Sequence, residues 1–450
     1  MRDVKTLVLN EGQTLASEGF FEFLLGTEKE LNISGPGGVG KTFTMGYMID
    51  EILPKYFETC KMMGVQPEYH SVHMTATTNK AAEVLGQQTG RPASTVHSFF
   101  GLKVFDDYST GESKVTKSNN WTVHSGIILF VDEASMIDRQ LYEFMQEGTI
   151  KSKIVYVGDK NQLAPVKESL SPVYRKAGIR MFELHEPMRT SIPELQALNK
   201  QCRDTVEELE RREGMFKPLT EELESAFKPI KEVPGIIDFI DEDQFLAEID
   251  ANFLDPEHKN VILAYTNKRV VEYNSYIREL RGLPEEFCTG DVLISNSAIR
   301  LGKFQISVED ELHVDWTSPD TDKVEVAPGV PMEVRRARLV TSFGDEIYAN
   351  LPVDRNHYNE LVTYYRKLKA WTTYYHLKNN YPDLRARDAR TVYKIQGSSV
   401  DTVYIDATNL STCHNPAQAA RLIYVAVSRA RHRVVIYGEL AGKYGGLVPA

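Results

Sequence analysis

The run Gly35-Pro36-Gly37-Gly38-Val39-Gly40-Lys41-Thr42 carries the most specific chemistry in the chain. Glycines let a backbone turn tightly enough for several N–H groups to face one anion. A helix starting at the end of such a loop adds its partial positive charge. In this pattern the lysine reaches the β- and γ-phosphates of a nucleoside triphosphate and the next hydroxyl reaches Mg²⁺. Gly35, Gly38, Val39, Gly40, Lys41, Thr42 and Phe43 are therefore the candidate nucleotide contacts, and Lys41 is also a catalytic candidate. The apolar Leu31-Asn32-Ile33 before the loop and a helical Phe43 to Ile52 after it supply the strand–loop–helix context that the pattern needs.

A second constellation fits the first. Ile127-Ile128-Leu129-Phe130-Val131 delivers Asp132-Glu133-Ala134-Ser135. An acid at the carboxyl end of a strand beside the loop can hold Mg²⁺ together with Thr42, so Asp132 is assigned to the metal. Glu133 can polarise the attacking water as general base. Gln162, in Gly158-Asp159-Lys160-Asn161-Gln162, follows another apolar run and could sense the γ-phosphate. Arg189 and Arg429 are cationic candidates from outside this group. A guanidinium supplied across a cleft stabilises the charge spread over the γ-oxygens.

These residues need a sheet edge to hold them. Continuous apolar runs such as Ile127 to Val131 and Ile154 to Val157 mark parallel strands buried on both faces. Their alternation with helical segments, Thr14 to Leu25 and Lys80 to Gln88 among them, predicts a doubly wound α/β sheet. Val104 to Tyr108 and Ser113 to Thr116 flank a turn and predict a projecting hairpin. Pro193 to Glu232 reads as charge-dense helix. A second βα rhythm begins at Asn260 to Tyr265, with Asn267 to Arg281 as its helix, and resumes at Ala389. Between them, Gly290 to Pro352 shows short alternating strands with turns at Thr317 to Asp322 and Ala327 to Pro331, a small β-barrel-like insert. An aromatic helical stretch, His357 to Tyr381, follows it.

Composition sets outer limits. At 450 residues the chain exceeds one ordinary core, so roughly two to four domains are expected. Its 42% hydrophobic and 26% charged residues are an ordinary soluble balance, and no apolar run is long enough to span a bilayer. The N-terminus lacks the apolar core of a secretion signal. Four scattered cysteines without C-x-x-C spacing suit a reducing, cytoplasmic setting. The net charge of −11 argues against coating DNA by bulk charge and leaves room for a narrow basic channel.

In order, these motifs resemble those of superfamily 1 helicases, in the RecD-like 5′-to-3′ branch and most of all the Dda type of tailed phages, over nearly the whole chain. Asn10-Glu11-Gly12-Gln13 resembles the adenine-reading Q motif, which implies an ATP contact at Gln13. Gly35 to Thr42 corresponds to motif I, Asp132 to Ser135 to motif II, and Gly158 to Gln162 to motif III. Ala76 to Ala82, with Thr78 and Asn79, resembles motif Ia, and Ser94 to Ser98, with His97, the segment after it. Arg189 falls at motif IV, while Thr266 and Asn267 lie in a DNA-facing motif. Thr391, Tyr393, Lys394 and Gln396 lie in motif V, where the resemblance implies DNA contacts, as it does at Thr78, Asn79, His97, Thr266 and Asn267; Tyr393 could stack on a base there, and Arg429 lies in motif VI. The chain departs from the common pattern at Thr77, where motif Ia usually has proline, and at Tyr393, where motif V usually has histidine.

The resemblance implies an α/β fold of two RecA-like parallel-sheet domains. The first would span 1–185, with a strand-splitting pin at about 102–118 around Phe105. The second would comprise 186–285 and 386–450, interrupted at 286–385 by an SH3-like β-barrel and a helical tower. It also implies ATP and Mg²⁺ in the cleft, and single-stranded and fork DNA across the top. Single-strand-binding protein or replisome components are candidate partners, and a monomer is expected, in the host cytoplasm for a phage product. The expected function is an ATP-dependent helicase in phage DNA replication or recombination. The alternatives are an ATP-driven translocase that displaces bound proteins with little unwinding, and a switch NTPase that binds a protein partner.

Overall fold

The computed structural model describes residues 9–165, 168, 170–186, 190–213, 229–301, 304–341 and 344–440. The apolar runs form a six-stranded sheet in the order Arg180–Glu183, Glu30–Ser34, Lys153–Gly158, Ile127–Asp132, Ser71–Ala76, Ala93–Thr95, with every pairing parallel. The two-residue period of a strand divides the central run between two cores. Ile128 and Phe130 join Phe20, Phe23 and Met45 on one face. Ile127, Leu129 and Val131 join Phe100, Leu141 and Tyr156 on the other. Ser34 pairs with Gly158 and Ala76 with Asp132, so the loops that follow these strands emerge along one sheet edge.

The helix after the phosphate loop is longer than the sequence suggests. It runs Lys41–Tyr47, passes through a π-helical turn at Met48–Ile52 and continues as Leu53–Met62. Pro54 lacks an N–H and its ring crowds the preceding turn, and the wider π turn absorbs that conflict without ending the helix.

A second parallel sheet has five strands, ordered Ile237–Ile240, Ala430–Tyr437, Val400–Asp406, Asn260–Ala264, Ala389–Thr391. Both sheets are RecA-like in being parallel and helix-covered. Helices Pro193–Glu213 and Pro416–Val427 share one core cluster on the second, through Leu195, Val206, Leu422 and Val425. Within the described residues the charge-dense helix runs Pro193–Glu213; of its expected span, 214–228 lies outside the described residues, and 229–232 is not helical.

Between Asn260–Ala264 with its helix Asn267–Leu280 and the return at Ala389, the chain builds a five-stranded antiparallel sheet. Its order is Glu346–Pro352, Val330–Thr341, Glu311–Ala327, Val292–Ser295, Leu384–Ala386. The turn expected at Thr317 to Asp322 is instead a bulge inside one long strand, where the register shifts between Thr317 and Thr321. The Arg335 Nη1 donates to the carbonyls of Ser318 and Pro319 at 2.6 and 2.8 Å, which satisfies backbone acceptors that the bulge removes from the ladder. Helices Arg355–Lys367 and Trp371–Asn380 close the insert over Val326, Met332 and Val334.

Candidate active site

The phosphate loop is shaped by Gly38 and Gly40, whose φ values of 84° and 81° lie where a side chain is disfavoured. Gly35 N–H donates to Gly158 O at 3.0 Å, which joins the loop to the neighbouring strand end. The Lys41 ammonium donates to Gly35 O and Pro36 O at 2.9 and 3.0 Å, and so lies within the loop's concavity. Gln13 is buried, and its helix begins at Glu11 with a reciprocal cap from Asn10. Its Nε2 donates to Val39 O at 3.4 Å, while its Oε1 accepts from Asn10 N at 3.2 Å. The glutamine thus lies against the loop, with its amide tying helix start to loop.

Asp132 ends its strand, and its Oδ1 accepts from Glu133 N at 2.9 Å. Burial, and then the charge of Glu133, push the Asp132 carboxyl up to about 6, opposed by Lys41. A half-buried carboxylate that feels the charge of the loop lysine suits a hard divalent cation, which would offset the desolvation, with the Thr42 hydroxyl as the expected second ligand. Among the described residues no cluster of three or more His, Cys, Asp or Glu side chains forms a metal cage. One carboxylate, one hydroxyl and substrate phosphates are the set Mg²⁺ ordinarily takes, so the residues present fit it. Glu133 adopts a left-handed backbone, φ 53° and ψ 42°, a conformation that costs a non-glycine residue about 1–3 kcal/mol. Thr77 Oγ1 lies 3.4 Å from Glu133 O. The residue that departs from the motif Ia pattern therefore turns toward the acid pair.

The second sheet supplies the opposite wall. Gly397 has φ 87°, and a Cβ there would stand 3.9 Å from Glu133 Oε1. Gln396 was expected on DNA, but its Nε2 donates to Gln162 Oε1 at 3.0 Å and to Ser135 Oγ at 3.2 Å, inside the cleft. Arg429 is 1% exposed. It donates to Ser428 Oγ, Val425 O and Ser398 O, and burial lowers its pKa against the opposing charge of Glu133. Arg189 lies outside the described residues. Two residues missed from sequence complete the wall. The Tyr424 hydroxyl donates to Asp159 Oδ2 at 2.6 Å, and Arg421 Nη1 donates to Lys160 O and Gln162 O. Arg421, Tyr424 and Ser428 follow i, i+3, i+7 spacing, so one helix face was legible as a unit.

The residues expected on DNA fall along the two sheets and the insert. Thr78 caps the Asn79–Thr89 helix, and Thr266 caps Asn267–Leu280. Asn79 bonds Ser307 of the insert, and Asn267 Oδ1 accepts from Arg385 Nη1 at 2.7 Å. Lys394 donates to Asn296 O at 2.9 Å and to the Asn296 side chain, with Glu309 nearby. Thr391 is buried at its strand end. Tyr393 was expected free to stack on a base; it is half-buried against the second core, with its hydroxyl on Gln418. His97 is partly buried, and desolvation lowers its pKa although Asp138 opposes the shift. Phe105 is 52% exposed on a hairpin of Leu102–Asp106 and Ser113–Lys117. The hairpin's tip meets the insert's helices: Tyr108 and Tyr375 rings lie 4.9 Å apart, and Gly111 faces Trp371.

Residues 8–215 match the AAA domain family, and 388–437 match the UvrD-like helicase C-terminal domain family. The chain is 23% identical to the ATP-dependent DNA helicase dda of Enterobacteria phage T4, over 95% of this chain and 98% of that protein. Among solved structures, a Pif1 helicase studied in unwinding of forked duplex aligns at 15% identity, covering 99% of this chain and 95% of the other, with a TM-score of 0.49. Pif1 from Candida albicans aligns at 16% identity, over 96% and 95%, with a TM-score of 0.47. The two family matches fall on the two walls of the cleft, and together with the phage relative that spans both they support a superfamily 1 helicase of the Dda type.

Proposed function

We propose that the chain hydrolyses ATP to move 5′ to 3′ along single-stranded DNA and to separate duplex at a fork. The observation that carries this reading is the meeting of two walls at one cleft. Lys41, Thr42, Asp132, Glu133 and Gln162 come from the first sheet, and Gln396, Gly397 and Arg429 from the second. Residues 1–185 form the first motor domain in this reading. Residues 186–285 and 386–450 form the second, and 286–385 are an SH3-like insert with its tower.

Lys41 and the loop N–H groups hold the phosphates of ATP, and Thr42 and Asp132 would hold Mg²⁺, which would supply positive charge to offset that of the phosphates. Glu133 takes the proton of the attacking water. In this reading Arg429 meets the charge that develops on the γ-phosphoryl, and Arg189 is assigned the same task. Loss of the γ-phosphate contacts then releases one wall from the other, as in other nucleotide switches. Thr78 and Asn79 on one domain, and Thr266, Asn267 and Lys394 on the other, grip the strand in alternation. His97 and Thr391 support those two surfaces. Opening one base-pair step costs about 1.4 kcal/mol, a cost that one turnover exceeds. The protein acts as a monomer on single-stranded or fork DNA, in the host cytoplasm, with single-strand-binding protein or replisome components as partners.

The test is a pair of duplexes with ATP and Mg²⁺, one carrying only a 5′ single-stranded tail and the other only a 3′ tail. The first is unwound and the second is not. Lys41→Ala abolishes both unwinding and DNA-stimulated hydrolysis while leaving strand binding largely intact. Unwinding from the 3′ tail would overturn the polarity, and normal turnover by Lys41→Ala would overturn the assignment of the cleft.

A further inference from the structure

The segment Asp159 to Leu163 follows a strand of the first sheet, yet its partners lie in the second domain. The Tyr424 hydroxyl holds Asp159 at 2.6 Å. Arg421 Nη1 donates to Lys160 O at 2.8 Å and to Gln162 O at 2.5 Å. Asn161 Nδ2 donates to Glu207 Oε1 at 2.8 Å. Gln162 Oε1 accepts from Gln396. Leu163 is 3% exposed within the core cluster of Leu195, Leu422 and Val425. The other end of the segment stays with the phosphate loop: Lys160 N donates to Ser34 Oγ at 3.3 Å, and Gly158 O accepts from Gly35 N. The turn therefore has one foot beside the phosphate loop and the other in the opposite domain.

Arg421 is the centre of this clasp. It is 4% exposed and its guanidinium is also paired with Glu210. Burial lowers its pKa to about 10, which leaves it charged at neutral pH. One nitrogen bridging two carbonyls two residues apart fixes the shape of the turn as well as its place, a task that suits a rigid multi-donor group. We propose that Arg421 is a positioning residue for ATP hydrolysis. It fastens the Asp159–Leu163 turn to the second domain, so that Gln162 is brought to the γ-phosphate by the position of that domain. Arg421 acts through Gln162 and touches no substrate. This inference rests on the reading of the cleft as an ATP-hydrolysing site.

The experiment measures ATP turnover by the full chain with and without oligo(dT), in the wild type, Arg421→Ala, Arg421→Lys, Gln162→Ala and both double variants. Arg421→Ala is expected to lower the DNA-stimulated kcat by about tenfold, with KM for ATP and Kd for oligo(dT) within about twofold of wild type. Arg421→Lys, whose point charge fits one carbonyl better than two, recovers part of that loss. In the Gln162→Ala background either Arg421 substitution costs less than about twofold more, because the two residues act in one chain of contacts. Multiplying losses in the double variants, a raised KM with unchanged kcat, or wild-type turnover in Arg421→Lys and Arg421→Ala would overturn the proposal. Where Arg421→Ala does not fold, Arg421→Lys and its double variant decide by the same criterion. Absence of oligo(dT) stimulation in the wild type is a separate result, and it overturns the reading of the cleft itself.

Discussion

Arg429 illustrates what a single side chain can do when its own domain encloses it. Some of its donors are held by Ser428, Val425 and Ser398, and its charge faces that of Glu133 across the cleft. A group so held is preorganised, and needs little rearrangement to stabilise charge in a transition state. Arg429→Ala is therefore expected to lower kcat by ~10³-fold or more, within the range an arginine finger supplies, while KM for ATP changes little. Steady-state kinetics with saturating oligo(dT) check this, and a rise in KM alone would remove the finger role. At this scale the sequence was legible where glycine spacing or strand-end acids dictate the chemistry, as at Gly35 to Thr42 and Asp132-Glu133. It was not legible for Gln396, Lys394 and Tyr393. Their spacing fixes which loop they share but not which partner, Gln162, Asn296 or Gln418, captures each side chain.

The hairpin and the helical pair of the insert form the next scale. The turn residues between Asp106 and Ser113 were readable because Asp107 caps its own turn, accepting from Ser109 N at 2.8 Å. What periodicity does not carry is the docking of the tip onto a helix more than two hundred residues later in the chain. Gly111 has φ 73°, and a Cβ there would come within 2.3 Å of the Trp371 ring. Closeness of that kind holds the hairpin by its tip and leaves Phe105 exposed along its side. A rigid, exposed aromatic at a fork converts strand movement into separation, whereas a loose one yields. Phe105→Ala is expected to cut base pairs opened per ATP several-fold with DNA-stimulated ATPase retained. Parallel unwinding and phosphate-release assays measure that ratio. An unchanged ratio would favour a translocase that moves without splitting duplex.

For the whole molecule, the difficulty is continuity. The second sheet is assembled from two stretches, Ile237–Ala264 and Ala389–Tyr437, with the insert's sheet grown between them. The sequence showed the rhythm stop and resume, but not what welds the halves. Asp388, the last residue before the returning strand, supplies that weld. Its Oδ1 accepts from His258 Nε2 and from Arg281 Nη2, each at 2.8 Å, and its Oδ2 accepts from Arg281 Nη1 at 3.1 Å. All three side chains are largely buried. Burial alone would raise the carboxyl, yet the His258 and Arg281 bonds hold it below its ordinary value. A carboxyl depressed in the folded state contributes stability that is present above its unfolded pKa of about 3.9 and is lost as pH falls through the lower folded value. Removing it strands a buried guanidinium, which typically costs about 3–5 kcal/mol. Asp388→Ala is thus expected to unfold the second domain at lower denaturant, while the first domain, which lacks these contacts, keeps its own transition. Tryptophan fluorescence offers the comparison, because Trp121 reports on the first domain, and Trp316 on the insert whose two ends the Arg281–Asp388 bonds tie to the second domain. In the variant the insert signal moves first, and the difference from wild type shrinks as pH falls below the carboxylate range. A single transition shifted equally for every tryptophan would mean that the domains unfold as one body, with Asp388 serving the whole of it.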